Sequence, residues 1–301
     1  MPQIAAILIA GPTASGKSGA ALDIAARFGG TIINADSMQV YSELRVLTAR
    51  PSESEEQSAP HKLYGSVPAS EAYSVGRWLD DVANAIEQAS NAGSLPIIVG
   101  GTGLYFKALT EGLAPVPDIP AEIRARWREE AERLGRSGLL KELVARDPAI
   151  APRLLGGDTQ RLVRALEVID ATGISLAEWQ GTNAPPILDP SQTLRIVVAP
   201  EREPLYAAID ARFDTMMEEG VLEEVQRLLA LRLEPGLPAM RAHGVRELAA
   251  YLVGASSRDE AIAKSKTESR RYAKRQMTWL RRFMTDWEWV PDAGAAVKSI
   301  P

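Results

Sequence analysis

The chain has 301 residues, of which 46% are hydrophobic and 24% charged, an ordinary composition for a globular protein with a sizeable core. It contains no cysteine and only two histidines, His61 and His243, which excludes disulfides, thiolate metal sites and histidine-rich metal centres. The net charge of −5 argues against a uniformly basic nucleic-acid-binding protein, yet residues 264–282 carry eight basic residues and one acidic residue. This basic segment needs an explanation of its own.

The chain begins with alternating strand-like and helix-like segments. Residues 4–10 form an apolar run that leads into a glycine-rich loop, and a predicted helix follows, ending at Gly29 and Gly30. We interpret residues 4–10 as a buried strand and not as a signal peptide, and no stretch approaches the roughly 20 apolar residues of a membrane span. Further strands are predicted at residues 31–35, 95–101 and 193–200, and a helix at 74–92. The pattern predicts an α/β core with a mostly parallel sheet.

A segment without strand-like runs interrupts this core. Two proline-rich stretches, residues 112–120 and 183–190, bracket it. Within it, helices are predicted at residues 122–134, 137–145 and 160–171. We therefore predict a helical insertion domain at residues 115–190, carried on a core formed by residues 1–114 and 191–301. The alternative is that these helices cover the sheet directly.

The last third of the chain is predicted to be helical, at residues 205–219, 222–231, 244–253 and 259–284. In the final helix, one side carries the basic ridge, defined as Lys264, Arg271, Arg275 and Arg282. Such a ridge suits RNA phosphates, with a solvated surface as the alternative. Another side carries Tyr272, Trp279, Leu280 and Phe283, which are expected to pack against the core. The final dozen residues are expected to be poorly ordered, with Trp287 and Trp289 as anchors nearby.

The strongest motif is "GPTASGKS" at residues 11–18, which matches the phosphate-binding pattern G-x-x-x-x-G-K-[ST] between a predicted strand and helix. Backbone amides of such a loop and the helix N-terminus bind phosphate oxygens. Lys17 is expected to contact the terminal phosphates and Ser18 to bind Mg²⁺. The motif predicts a P-loop NTPase-like fold. Alone, it fits a kinase, an NTP hydrolase or an enzyme that releases diphosphate, and a glycine-rich turn without ligand is the remaining alternative.

The position of acidic residues narrows these possibilities. The predicted strand "LPIIV" runs into "GGTGLYFKAL" without Asp or Glu, whereas a P-loop hydrolase usually has an acid there that helps to hold Mg²⁺. The nearest carboxylate at a strand end is Asp36, in "NADSMQVY". The carboxyl ends of parallel strands face the ligand crevice, so Asp36 is predicted to act as a general base beside the phosphates. A helix N-cap or an indirect Mg²⁺ partner is the alternative.

Five segments occur in a characteristic order between residues 4 and 285: "GPTASGKS", "NADSMQVY", "GGTGLYFKALTEGL", "QRLVRALEVIDATG" and "RRYAKRQMTWLRRF". In this respect the chain resembles the tRNA dimethylallyltransferases. The resemblance implies an enzyme that transfers a dimethylallyl group from dimethylallyl diphosphate to the exocyclic N6 amine of the adenosine on the 3′ side of the anticodon, releasing diphosphate. The chain departs from many relatives at Ser18, where they have Thr, and at Val245, where they have Tyr. No role is assigned to His61.

The resemblance also assigns residues to the donor. Asp36 would accept a proton from the amine, and Lys17 and Thr13 would stabilise the leaving group. Mg²⁺ is the expected cofactor, held by Ser18. The diphosphate would be bound by Gly11, Pro12, Thr13, Ala14, Ser15, Gly16, Lys17, Ser18 and Arg212.

The resemblance assigns tRNA contacts to residues along the whole chain. These are Asp36, Ser37, Met38, Gln39, Thr102, Arg124, Gln160, Arg161, Leu162, Val163, Arg164, Arg241, His243, Gly244, Arg246, Arg271 and Arg275. On an ideal helix Gln160, Arg161 and Arg164 share one face, which could equally be solvated. The prediction is a cytoplasmic, monomeric enzyme that binds the tRNA anticodon stem-loop and dimethylallyl diphosphate, with no membrane association. A P-loop small-molecule kinase is the main alternative and an RNA-binding NTPase a third.

Overall fold

The computed structural model describes residues 4–182 and 184–301, which form two compact units. One unit, called the core here, comprises the chain up to Thr110 together with Ile187–Pro301. The other, the insertion, is Glu111–Pro186. The predicted limits at residues 114 and 190 lie four residues beyond Thr110 and Pro186.

The core is built on a six-stranded sheet in which every pairing is parallel, as predicted. In chain order the strands are β1 (Ala6–Ala10), β2 (Gly30–Asn34), β3 (His61–Lys62), β4 (Leu95–Gly100), β5 (Thr193–Val198) and β6 (Glu288–Val290). Their spatial order is β3-β2-β4-β1-β5-β6. The central strand β1 is buried on both faces: Leu8 packs into one hydrophobic cluster, and Ile7 and Ile9 pack into the other. This two-sided burial explains its uninterrupted apolar sequence.

Twelve α-helices are assigned in the described part of the chain. They are α1 (Lys17–Phe28), α2 (Glu53–Ser58), α3 (Val75–Asn91), α4 (Gly103–Glu111), α5 (Ala121–Arg146), α6 (Thr159–Thr172), α7 (Leu176–Trp179), α8 (Arg202–Glu218), α9 (Val221–Ala230), α10 (Val245–Leu252), α11 (Arg258–Phe283) and α12 (Ala293–Lys298). Among the residues described, none of these helices is both long and apolar enough to cross a bilayer.

The C-terminal residues belong to the core. Strand β6 extends the sheet by pairing with β5, and helix α12 packs against α1. Val290, Ala296 and Ile300 are buried in the cluster beneath α1. The expectation that the final dozen residues are poorly ordered is therefore wrong. A strand of three residues has almost no local sequence signal, because its pairing with β5 is a long-range contact.

The insertion is helical, as expected, and has its own hydrophobic cluster. Helix α5 is interrupted at Gly135, whose φ of 59° and ψ of −177° are not helical, so the two predicted helices here are the two halves of α5. Leu139 and Leu143 on α5 pack with Leu162 and Leu166 on α6. Trp127 belongs to the same cluster.

Candidate active site

The phosphate-binding loop connects β1 to α1, as the motif predicts. Gly16 caps α1 with a φ of 85°, in the left-handed region that glycine adopts without a steric penalty. Ala14 also has a positive φ, 62°, which is uncommon for a residue with a side chain. Left-handed residues of this kind turn backbone N–H groups toward one side, the arrangement that binds anions. Lys17 reaches back over the loop, and its Nζ donates a hydrogen bond to the Pro12 carbonyl at 3.1 Å.

Two cations close to this loop are half-buried. Burial lowers the pKa of the Lys17 ammonium to about 8; the Asp36 carboxylate raises this pKa and Arg212 lowers it further. Burial also lowers the pKa of the Arg212 guanidinium, and Asp36 opposes this change. Both positive charges are poorly solvated, so an anion that binds between them regains favourable electrostatic interactions.

Asp36 lies just beyond the carboxyl end of β2 and is held by its neighbours. Its backbone N–H donates to Asn34 Oδ1 at 2.8 Å, and Asn34 Nδ2 donates to the Asp36 carbonyl at 2.9 Å. Asp36 Oδ1 accepts from the Met38 N–H at 2.9 Å, while Oδ2 has no hydrogen-bond partner within the described residues. No helix begins here, so Asp36 is not an N-cap. Its carboxylate is oriented and keeps one oxygen available to accept a proton.

A cleft that is open to solvent brings Asp36 and Arg212 together in the core. Its lining is Thr13, Asp36, Met38, Leu47, Thr48, Ile209, Arg212, Phe213, Met216, Ala242, His243, Ser269 and Tyr272. Helix α8 supplies Ile209, Arg212, Phe213 and Met216, which share one face because they recur at helical spacing. The cleft combines the Arg212 guanidinium and the Asp36 carboxylate with a largely apolar wall. It can therefore bind a ligand with an anionic end and an apolar end.

Thr13 connects this cleft to helix α11. The Arg212 guanidinium donates a hydrogen bond to Thr13 Oγ1, so two predicted diphosphate-binding residues are in contact. The Thr13 N–H donates to Gln276 Oε1 at 2.9 Å, and Gln276 Nε2 donates to the Gly101 carbonyl at 3.0 Å. Gln276 was not predicted as a site residue, because its partner Thr13 is 263 positions away in sequence.

Glu224 is a second residue that the sequence analysis missed. Its carboxylate, on a residue only 3% exposed, accepts hydrogen bonds from the N–H groups of Arg45, Val46 and Leu47, each at 2.8 Å. These bonds fix the segment that contributes Leu47 and Thr48 to the cleft wall. Glu224 therefore shapes the cleft without lining it.

The predicted RNA-contacting residues near β2 and β4 are placed close together. Thr102 Oγ1 accepts from the Ser37 N–H at 2.9 Å and donates to Ser37 Oγ at 3.3 Å. Met38 lines the cleft. The side-chain N–H₂ of Gln39 donates to the carbonyls of Thr48 (2.9 Å) and Ala49 (2.8 Å), so it holds the cleft-wall segment.

The run at residues 241–246 has a mixed environment. His243 lines the cleft with its ring centroid 4.5 Å from that of Tyr272. Burial, followed by the charge of Arg275, lowers the pKa of His243. Arg241 and Arg246 are exposed, whereas Gly244 is buried at the N-cap of α10.

Within the insertion, the predicted contacts divide into exposed and buried residues. Gln160 and Arg161 are exposed at the start of α6. Arg164 is half-buried, 3.8 Å from Glu167, and Arg124 lies 3.9 Å from Asp118. Leu162 is fully buried and Val163 packs against the same cluster, so a contact from the Leu162 side chain to RNA, as assigned from the resemblance, is wrong.

The four residues of the basic ridge are all exposed on α11. Two further basic residues of this helix instead pair with α8: Lys266 lies 2.6 Å from Asp214, and Arg270 lies 2.5 Å from Asp210. Arg271 in the ridge is 2.5 Å from Glu268 on its own helix. Leu280 is buried as expected, but Tyr272 lines the cleft, which corrects its assignment to the core alone.

Comparison with protein families identifies the chain. The family described as "IPP transferase" matches residues 39–283, and the one described as "Isopentenyl transferase" matches residues 4–64. This chain belongs to the IPP transferase family. The resemblance predicted from the five sequence segments is thereby confirmed.

Individual relatives agree with this assignment. Proteins named tRNA dimethylallyltransferase from Bradyrhizobium sp. (strain ORS 278) and Azorhizobium caulinodans are 53% and 54% identical to the chain, covering 96% and 94% of it and 94% and 90% of their own lengths. The solved tRNA isopentenylpyrophosphate transferase from Bacillus halodurans is 32% identical with a TM-score of 0.67, covering 97% of this chain and 90% of its own. A eukaryotic dimethylallyltransferase acting on tRNA gives a TM-score of 0.81 at 29% identity, covering 96% of this chain and 73% of its own. The predicted fold class is confirmed, and a tRNA dimethylallyltransferase is favoured over a small-molecule kinase.

Proposed function

We propose that the protein transfers the dimethylallyl group of dimethylallyl diphosphate to the exocyclic amine of the adenosine 3′ to the anticodon in tRNA. One observation carries this proposal: a single cleft joins Thr13 of the phosphate-binding loop, Arg212, the Asp36 carboxylate and an apolar wall. Strand β4, which pairs with β1, ends at Gly100 and is followed by Gly101, with no acidic residue there to orient an attacking water. These features fit transfer to an amine better than hydrolysis.

The donor would bind with its diphosphate on the loop and its dimethylallyl group against the apolar wall. Lys17, Arg212 and the backbone N–H groups at the start of α1 supply positive charge for the diphosphate. When the allylic C–O bond breaks, charge on the leaving diphosphate increases, so these fixed charges stabilise the transition state more than the bound donor. Leu47, Phe213 and Met216 supply apolar surface for the dimethylallyl group.

The acceptor needs help because the lone pair of an adenine amine is delocalised into the ring. In the transfer, a bond forms between the amine nitrogen and the allylic carbon, the bond from that carbon to the diphosphate oxygen breaks, and the amine loses a proton. Asp36 Oδ2 would accept this proton, since Oδ1 already accepts a hydrogen bond from the Met38 N–H. The products are the prenylated adenosine, diphosphate and the proton on Asp36.

Mg²⁺ is proposed to bind beside the loop, with the Ser18 hydroxyl as a ligand. Ser18 presents an exposed hydroxyl at the start of α1, and the described residues contain no group of three or more His, Cys, Asp or Glu that would form a complete metal site. Mg²⁺ usually takes one or two protein ligands and completes its octahedron with substrate phosphate oxygens and water. When bound, Mg²⁺ would help neutralise the charge of the leaving diphosphate.

The RNA is proposed to be an anticodon stem-loop whose phosphates bind the basic ridge. Recognition would depend on splayed loop bases, with the target adenine flipped into the cleft opposite the diphosphate. Action as a monomer is part of this proposal. A tRNA substrate supports a cytoplasmic location.

The test is incubation of the protein with MgCl₂, dimethylallyl diphosphate labelled in the allyl group, and an anticodon stem-loop with adenosine at the target position. Label should enter this RNA but not a matched stem-loop carrying purine riboside, which lacks the amine. ATP-dependent phosphorylation of a small metabolite with no label in RNA would contradict the proposal and favour the kinase alternative.

A further inference from the structure

Gln276 uses both ends of its side-chain amide to join parts of the core that are distant in sequence. It lies on α11 and is 6% exposed. Its oxygen accepts from the Thr13 N–H in the phosphate-binding loop at 2.9 Å, and its nitrogen donates to the Gly101 carbonyl after β4 at 3.0 Å. A buried amide with both groups paired fixes the relative position of its partners.

The fit around this amide is tight. A Cβ on Gly101 would lie 2.2 Å from Gln276 Nε2, so a glycine is needed for the amide to approach. The same Cβ position is 3.3 Å from the Gly11 carbonyl oxygen and 3.4 Å from Asp36 Oδ2. The amide therefore reaches the point where the phosphate-binding loop, the end of β4 and the Asp36 carboxylate converge.

Gln276 also connects the two kinds of surface on α11. Ser269 and Tyr272 of this helix line the cleft, while Arg271 and Arg275 of the basic ridge are exposed. On the other side of the network, Thr13 accepts a hydrogen bond from Arg212. One side chain thus links the helix proposed to bind RNA to the residues proposed to bind diphosphate.

We propose that Gln276 is a positioning residue for the transfer reaction, and this inference rests on the function proposed above. It keeps the phosphate-binding loop and Thr13 in the conformation that binds diphosphate and at a fixed position relative to α11. It touches no reacting atom. Its effect depends on hydrogen bonding rather than on volume, which distinguishes it from a packing residue.

The first test replaces the amide with a side chain of similar size. Gln276→Met removes both hydrogen bonds and should weaken binding of inorganic diphosphate with Mg²⁺ about tenfold in calorimetry, with a similar or larger fall in the single-turnover rate. Affinity for the anticodon stem-loop should stay within about twofold. The matched control is Gln226→Met, an exposed glutamine on α9. A Gln276→Met protein equal to this control in both assays would overturn the proposal.

The second test uses a side chain whose hydrogen bonding changes with pH. In Gln276→Glu, a protonated carboxyl can still accept from Thr13 N–H and donate to the Gly101 carbonyl, whereas the carboxylate cannot donate. Burial beside the Asp36 carboxylate should raise the pKa of a Glu at this position, so the ratio of its diphosphate affinity to that of the unmodified protein should fall as the pH rises from about 4.5 to about 8. The same ratio for Gln276→Met should not change. A ratio for Gln276→Glu that is independent of pH would contradict the assigned donor bond.

The diphosphate measurements separate this inference from the proposed function. If the unmodified protein transfers no label to RNA while Gln276→Met still weakens diphosphate binding, the proposed function fails and the role of Gln276 in the loop stands. If the unmodified protein transfers label and Gln276→Met binds diphosphate and reacts normally, the proposed function stands and the role of Gln276 is refuted.

Discussion

The core and the insertion reach their structures in different ways. The core sheet contains strands from both ends of the chain, from Ala6–Ala10 to Glu288–Val290. The cleft of the core is lined by side chains from widely separated segments. The insertion packs two helices, α5 and α6, that are close in sequence around one small cluster. Long-range contacts therefore determine the chemistry of the core, whereas local contacts suffice to form the insertion.

Buried charges occur in both units, but their partners lie farther away in sequence in the core. In the insertion, the buried Asp147 carboxylate accepts hydrogen bonds from the nearby N–H groups of Ile150 and Leu176.

In the core, Glu224 is 3% exposed and satisfied by three N–H groups far away in sequence, and burial shifts the pKa values of Lys17 and Arg212. In the insertion, Arg133 and Glu130 lie 2.5 Å apart on the surface of one helix, and pairs of this kind add little to stability. Long-range buried charges should thus be costly to remove, and local surface charges should not.

The largest effect on stability is expected at Glu224. Glu224→Ala leaves three backbone N–H groups without an acceptor, so the free energy of unfolding should fall by about 3 kcal/mol. Urea denaturation followed by circular dichroism measures this change. The control is Glu223→Ala, an exposed neighbour on α9 that should cost no more than about 0.5 kcal/mol. Equal losses in the free energy of unfolding for the two variants would contradict the proposed difference between buried and surface charges.

A smaller effect, on RNA affinity, is expected at the basic ridge. The double change Arg271→Glu and Arg275→Glu should weaken anticodon stem-loop binding about tenfold at moderate salt, because two phosphate contacts are lost. The salt dependence should also become shallower. The control is Arg27→Glu with Arg227→Glu, two exposed arginines on α1 and α9 with the same change in net charge. If both proteins bind RNA alike, the ridge is solvated surface.

The sequence predicted the parts of the molecule that depend on local patterns. Strands β1, β2, β4 and β5, the phosphate-binding loop and the helices of the insertion follow from apolar runs, glycines and helical spacing. Strands β3 and β6 have two and three residues, too few for such a signal.

The site could be predicted only in part, for a related reason. Asp36 follows a predicted strand and Lys17 belongs to a motif, so both could be recognised from the sequence. Gln276 and Glu224 act through partners more than 170 positions away, which no local pattern reveals. Leu162 was wrongly included because the resemblance assigned a continuous run, although helical spacing places this residue on the buried face of α6.

The central claim is that the phosphate-binding loop holds a leaving diphosphate while Asp36 accepts the proton of the attacking amine. Asp36→Ala tests it most directly, by measuring the single-turnover rate of prenyl transfer and the affinity for the donor in the same preparation. A general base is worth roughly 10²–10⁴ in rate, so the rate should fall about 10³-fold while donor affinity stays within about threefold. A loss of donor affinity as large as the loss of rate would contradict the account and make Asp36 part of the Mg²⁺–diphosphate site.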